Sequence, residues 1–190
     1  MQNKEQEQSY YQTLYEVAKV INSSLEPSTV LNKIAEQVTK AIQVKGCTIR
    51  LLNKEKTYLL AGASYGLSEG YLRKGRIEVA KSGIDQEVLA GKNIFIQNAC
   101  EDPRFQYPEE ARKECITSVM AVPLQVEGER VIGVLRVYAE VLREFSDEEI
   151  DFLTAIANIS AIAIENARLH QALKSQYELL TPYEYQLFED

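Results

Sequence analysis

Two arginines stand in stretches where charge is costly. Arg50 lies in CTIRLL (47–52) and Arg136 in GVLRVY (133–138), both runs rich in residues that favour extended chain. Alternate residues of a strand share a face. Cys47, Ile49 and Leu51 therefore form one side of the first run, and Thr48, Arg50 and Leu52 the other. In the second run, Gly133, Leu135 and Val137 oppose Val134, Arg136 and Tyr138. A buried guanidinium needs a partner. The pair thus asks for an anion, either the carboxylate or phosphate of a ligand or a carboxylate of the protein itself.

Other chemically capable residues are sparse. The three cysteines, Cys47, Cys100 and Cys115, are odd in number, have no CxxC spacing and no partner histidines. Neither a metal site nor a disulfide framework fits them, and free thiols favour a reducing cytoplasm. The single histidine, His170, falls in a C-terminal helical stretch. Net charge is −7, with the basic residues Arg73, Lys74 and Arg76 isolated, so neither nucleic acid nor a membrane is expected as a partner. No run of about 18 uncharged apolar residues occurs, so no membrane span is expected. The polar, acidic N-terminus does not resemble a signal peptide.

The elements that must position the arginines are organised around residues 118–138. Two β-rich runs, Val119–Val126 and Val131–Tyr138, are joined by EGER (127–130) and read as a hairpin. Neither alternates cleanly, which suits central strands covered on both faces. Pro123 has no N–H for a ladder and is expected at a bulge or a break in pairing. Upstream, residues around 9–24 have helical spacing, and a second helix starts at Pro27 and stops before Gly46. Strands follow at Cys47–Leu52 and Thr57–Ser64. Residues 65–83, with glycines at 66, 70 and 75, read as a long mobile connection. A short helix at 83–90, a strand at 93–97 and an irregular segment at 99–115, with a helical turn from Pro108, lead to the hairpin.

The last helix begins with a capping box, Ser146 and Glu149, and a hydrophobic staple, Phe145 and Ile150. It carries two apolar stripes, so it needs two partners, its own sheet and another helix. Beyond Ile164 only a seam at heptad spacing continues: Asn166, Leu169, Leu173, Gln176 and Leu180. That seam is either a weak coiled coil or the face of a helix that simply projects. Pro182 is expected to stop the helix, leaving 181–190 as a tail or the start of a further domain.

Four segments in this order resemble the GAF domain family: LLNKE (51–55), NACEDPRF (98–105), SVMAVPL (118–124), and VIGVLRV (131–137) leading to FSDEE (145–149). The resemblance covers roughly residues 26–168. It implies an α+β fold: a central antiparallel sheet with the terminal helices on one face and, on the other, a pocket roofed by loops and short helices. Residues 1–25 would then be an N-terminal helix for dimerisation or linkage, 26–168 the sensory domain, and 169–190 a helical output linker and tail. The family's strand order would make the strands of Arg50 and Arg136 neighbours, with both guanidiniums in the pocket beside Thr48 and Tyr138. Glu101, Asp102 or Glu114 of the roof would neutralise them if no ligand does.

Similarity to the family also separates chemistries. Bilin and haem carriers need a pocket histidine, and the cyclic-nucleotide members carry an NKFDE signature; neither occurs here. Members that reduce free methionine sulfoxide need paired cysteines, and acidic residues where Arg136 and Tyr138 stand. Cys115 occupies a position where many sensors have glycine, and it lies with Cys100 near the expected pocket rim. The resemblance thus implies a cytoplasmic, dimeric, non-enzymatic sensory or regulatory module of a signal-transduction protein such as a two-component system. It would bind a small, anionic molecule through Thr48, Arg50, Asp102, Cys115, Arg136 and Tyr138, and signal through its C-terminal helix to an output domain. No cofactor is specified. Two other readings stay open, a ligand-free dimerisation module and a thiol-based reductase.

Overall fold

The computed structural model describes the backbone of residues 2–23 and 26–185, and the side chains of 8–21, 26–127 and 129–177. Two helices, α1 (Gln2–Ser23) and α2 (Pro27–Ile42), precede the sheet. Pro27 opens α2, where its fixed φ and missing N–H suit the first turn. Val30, Leu31, Ile34, Ala35, Val38 and Ile42 recur at helical spacing and are all buried. The chain leaves α2 through Gln43 in the left-handed region.

Six strands form one antiparallel sheet: β1 (Gly46–Leu52), β2 (Tyr58–Tyr65), β3 (Ile77–Glu78), β4 (Ile94–Ile96), β5 (Ser118–Val126) and β6 (Arg130–Ala139), in the order β3-β2-β1-β6-β5-β4. The hairpin β5–β6 and strand β1 are therefore central. Pro123 pairs in register with Val134, two residues beyond Ala121, where β4 stops pairing, and just ahead of a register shift between Leu124 and Gln125. Its missing N–H thus falls where one side of β5 has no neighbour.

The segment read as one long connection, 65–83, is ordered instead. It holds α3 (Glu69–Leu72), β3 and a 3₁₀ turn at Val79–Lys81, and it is anchored by buried Tyr71 and Ile77. A two-residue strand has no periodicity to recognise; β3 exists because Tyr58 and Leu59 of β2 pair with it. Two further short helices, α4 (Gly83–Leu89) and α5 (Pro108–Lys113), complete the roof.

The long α6 (Asp147–Tyr185) starts at the expected capping box: Ser146 N–H donates to Glu149 Oε2 at 3.0 Å and Glu149 N–H to Ser146 Oγ at 3.3 Å. Its start is tied to α2 by Arg143, which pairs with Glu149 and donates to the Ile42 carbonyl at 3.1 Å. Leu153, Ala157, Ala161 and Ile164 on one stripe, and Phe152 and Ile156 on the other, are buried. Their neighbours are β5 on one side and α1 and α2 on the other, with Tyr10 of α1 stacked on Phe152 at 4.6 Å between ring centres. By length and composition the stretch Asp147–Tyr177 could cross a bilayer, but Phe152, Leu153, Ile156, Ala157, Ala161 and Ile164 are taken up by this core, while Ile162 is exposed. The helix does not end at Pro182; it passes through it to Tyr185. Proline removes one i→i−4 bond, and the helical geometry persists across that gap. Of the heptad seam, Asn166, Leu169, Leu173 and Gln176 are exposed; the side chain of Leu180 and the tail beyond Tyr185 lie outside the described residues.

The sheet separates two cores. One joins its odd-numbered β1 and β6 residues to α1, α2 and α6; the other joins the opposite face to the roof.

Candidate functional site

Thr48, Arg50, Arg136 and Tyr138 lie on the roof side of β1 and β6. The two strands are adjacent, with Thr48 opposite Arg136 and Arg50 opposite Val134. Two glycines shape the surroundings of Arg50, Gly133 on the β6 side and Gly62 on the β2 side. A Cβ on Gly133 would lie 2.2 Å from the Arg50 carbonyl oxygen, a distance no side chain tolerates. Gly62 is the extra residue of a bulge in β2, between the pairs Ile49–Ala63 and Arg50–Ala61. Bulges re-aim neighbouring side chains, and this one sits directly beside Arg50.

A cavity of about 200 Å³ opens beside Arg50 along β1 and β2, lined by Thr48, Arg50, residues 61–64 of β2, Leu72 of α3 and Asn32 of α2, and not by Arg136 or Tyr138. It lies where β3 no longer covers β2, since β3 pairs only with Tyr58 and Leu59. Its volume is below the roughly 300–1,000 Å³ typical of drug-sized ligand sites, which suits a small metabolite better than a nucleotide, bilin or haem.

The two arginines differ. Arg136, 4% exposed, pairs with Asp85 of α4, which is fully buried, and its guanidinium lies 5.9 Å from the Phe105 ring. Arg50 is 6% exposed, and among the described residues it has no carboxylate within ion-pair distance. Arg50 Nε, Arg136 Nε, Asp85 Oδ2 and the Tyr71 hydroxyl are all buried without a hydrogen bond. Such groups are uncommon in native proteins and call for an explanation. Thr48 and Tyr138 join their hydroxyls at 3.0 Å, and Tyr138 meets Tyr71 edge to face at 5.8 Å.

A third basic side chain packs under the roof. Lys74 is half-buried, with its Nζ 3.1 Å from the centre of the Tyr71 ring and 5.6 Å from that of Tyr107. Burial, then the Arg136 and Arg50 guanidiniums, pull its amine from an ordinary 10.5 down to about 6, against the opposing carboxylates of Glu110 and Asp85. The Tyr71 ring face favours the ammonium form and so works against this shift. In the sequence Lys74 was only part of a short basic cluster.

The other expected site residues are engaged elsewhere. Asp102 meets neither Arg50 nor Arg136; its carboxylate accepts from Arg104 Nε at 3.0 Å and Nη2 at 2.7 Å. Arg104 in turn pairs with Glu87 of α4 at 2.9 Å, so Asp102 helps latch the roof. Glu114 accepts from the Ser68 N–H at 2.8 Å, and Glu101 is exposed. The neutralising carboxylate is thus Asp85, an acidic residue in the first turn of a short helix, where charge is ordinary and no spacing marks it. Cys115 is exposed and has φ 57°, a left-handed backbone that favours glycine. Cys100 is half-buried, its thiol directed at the Ile116 carbonyl at 3.6 Å. Cys47 is buried on the helix side, where burial pushes its thiol pKa up. All three are free.

The GAF domain family model matches residues 24–165. A methyl sulfide methyltransferase-associated sensor of Methanosarcina acetivorans is 29% identical over 132 residues, covering 67% of this chain and 13% of that protein. A Nif-specific regulatory protein of Herbaspirillum seropedicae is 24% identical over 181 residues, covering 92% of this chain and 32% of that protein. The chain therefore spans less than a third of the length of either relative. The crystal structure of the GAF domain of an Acinetobacter phosphoenolpyruvate-protein phosphotransferase superposes with a TM-score of 0.72 at 26% identity, covering 84% of this chain and 94% of that one. Sequence family, sheet order and the two-sided core agree, and the chain belongs to the GAF domain family.

Proposed function

We propose that this domain senses a small anionic molecule in the cavity at Arg50, acts as a homodimer, and passes its occupancy along α6 to an output domain. The observation that carries the reading is Arg50 itself, a buried guanidinium at a cavity with no carboxylate partner among the described residues. Its relatives in sensor and regulatory proteins support the sensory role, in a cytoplasmic setting that suits three free cysteines. Coupling requires that the ligand prefer one arrangement of roof and helices. The Asp85–Arg136 pair joins α4 to β6, and β6 continues through Arg143 to the start of α6. The exposed Leu169, Leu173 and Tyr177 supply a surface for a second copy.

The test is to identify by native mass spectrometry what co-purifies with the chain, then to measure its affinity for Arg50→Met. A charge-assisted contact contributes roughly 1.5–3 kcal/mol, so about tenfold or more should be lost, with the fold kept. Unchanged affinity would move the ligand away from Arg50. Truncation after Ala167 should weaken the dimer in sedimentation without unfolding the domain. One observation favours a second reading, a ligand-free dimerisation module: Arg136 already has its counter-charge within the protein, in Asp85.

A further inference from the structure

Of the described residues that line the cavity, Arg50 alone is charged. Arg136 stands outside the lining and already has Asp85 as its counter-charge, and the Lys74 amine rests on the Tyr71 ring instead. We infer that the ligand is a small, singly charged carboxylate with a neutral, amide-like group at its other end. Arg50 takes the charge; Asn32 of α2 and the open edge of β2 take the amide. This rests on the anion-binding role of Arg50 proposed above and adds to it a charge number, a second functional group and a residue.

The charge number follows from the lining. One buried guanidinium without a carboxylate, its Nε lacking any hydrogen bond, balances one negative charge. A second carboxylate in the same cavity would meet no cation among these lining residues, and a charge that leaves water without a partner is costly. The neighbours of Asn32 on α2 do not supply that cation, since Lys33 and Lys40 are solvent-exposed and both pair with Glu36.

The rest of the wall is neutral and of two kinds. Ala61, Ala63 and Leu72 are apolar and admit a short carbon chain. Asn32 and Ser64 carry neutral donors and acceptors. Strand β2 adds more, because β3 pairs only with Tyr58 and Leu59 and leaves the edge beyond them without a strand partner among the described residues. Such an edge presents unpaired N–H and C=O groups in a row, and the bulge at Gly62 lies within it. An amide is both donor and acceptor, so one group matches a strand edge and an asparagine side chain together. Helix α2 belongs to the helix-covered side of the sheet and α3 to the roof. The cavity therefore passes around the open edge of β2, and that gap is what lets Asn32 meet a ligand held by Arg50. At about 200 Å³ it confines the ligand to a short chain.

Calorimetry of the 190-residue chain at pH 7 tests this with three probes of similar size. Succinamate has one charge and an amide, succinate replaces the amide by a second carboxylate, and isocaproate replaces it by an isopropyl group. Succinamate should bind about tenfold or more tighter than either. Its advantage over isocaproate should largely disappear in Asn32→Leu. Asn32→Lys should turn the preference to succinate, by supplying the second cation that the lining lacks. Asn32 is exposed, so both variants should keep the fold. Succinate binding as tightly as succinamate would overturn the single charge, and isocaproate doing so would overturn the amide; in either case, loss of binding in Arg50→Met would leave anion sensing intact. Unchanged preferences in both Asn32 variants would remove Asn32 from the ligand. No binding of any probe at millimolar concentration, or binding that Arg50→Met does not weaken, would count against this inference and against anion sensing at Arg50 together.

Discussion

On the helix-covered face of the sheet, Cys47, Ile49, Leu135 and Val137 are fully buried against α1, α2 and α6. One residue along the same two strands, Thr48, Arg50, Arg136 and Tyr138 face the roof, equally shielded from water but surrounded by hydroxyls, guanidiniums and a carboxylate. The first face is close-packed and apolar, and its residues contribute mainly to stability. The second carries buried polar atoms without partners, which cost stability. A fold tolerates such a cost where the groups have another use, so burial alone does not distinguish core from site. What distinguishes them is whether the buried atoms are satisfied.

Four substitutions or conditions test that contrast. The largest effect should come from Asp85→Leu, which leaves the Arg136 charge buried and unpaired. Removing one partner of a buried pair costs about 3–5 kcal/mol, measurable by urea unfolding, and most of that should return in the double variant with Arg136→Met. If the double variant is no more stable than the single one, the pair is not what holds α4 to β6.

On the other face, Leu135→Ala should cost about 2–5 kcal/mol through lost burial and the cavity left behind, with no rescuing partner and no change in anion affinity. A drop in affinity there would mean that the two faces are coupled through the strands.

Lys74 sharpens the contrast through pH. Its folded pKa lies near 6, below the ordinary 10.5, so between those values the unfolded chain binds the extra proton and stability rises with pH. The contribution is flat above the unfolded value and below the folded one. Lys74→Met should flatten the slope between pH 7 and pH 9 in denaturant midpoints, and an unaltered slope would show that Lys74 is not held neutral.

The smallest effect on stability is expected from Arg50→Met. It removes a buried charge without a carboxylate partner and keeps much of the stem's volume, so stability should stay within about 1 kcal/mol of the parent, on the stabilising side. A loss as large as that of Leu135→Ala would make Arg50 a structural residue and weaken the sensory reading.

The sequence by itself determined whatever depends on local spacing. Alternation in CTIRLL and GVLRVY assigned Arg50 and Arg136 to the face opposite Ile49 and Leu135, because a strand's period of two leaves no other choice. Ser146 and Glu149 marked the start of α6, because a capping box is complete within four residues. Its two stripes called for two partners, and α6 has them. Tertiary structure alone decided the rest. Strand β3 is two residues long and exists only through its pairing with β2. Asp85, 51 residues from Arg136 in the chain, looks like any acidic residue in a first helical turn until α4 is laid over β6. Asp102, which the sequence placed with the arginines, is held by its near neighbour Arg104. Lys74 sits in a basic cluster that looks solvated, yet the turn after α3 carries its amine onto Tyr71. Electrostatic partners are set by distances in space across long loops, and sequence spacing carries no record of them.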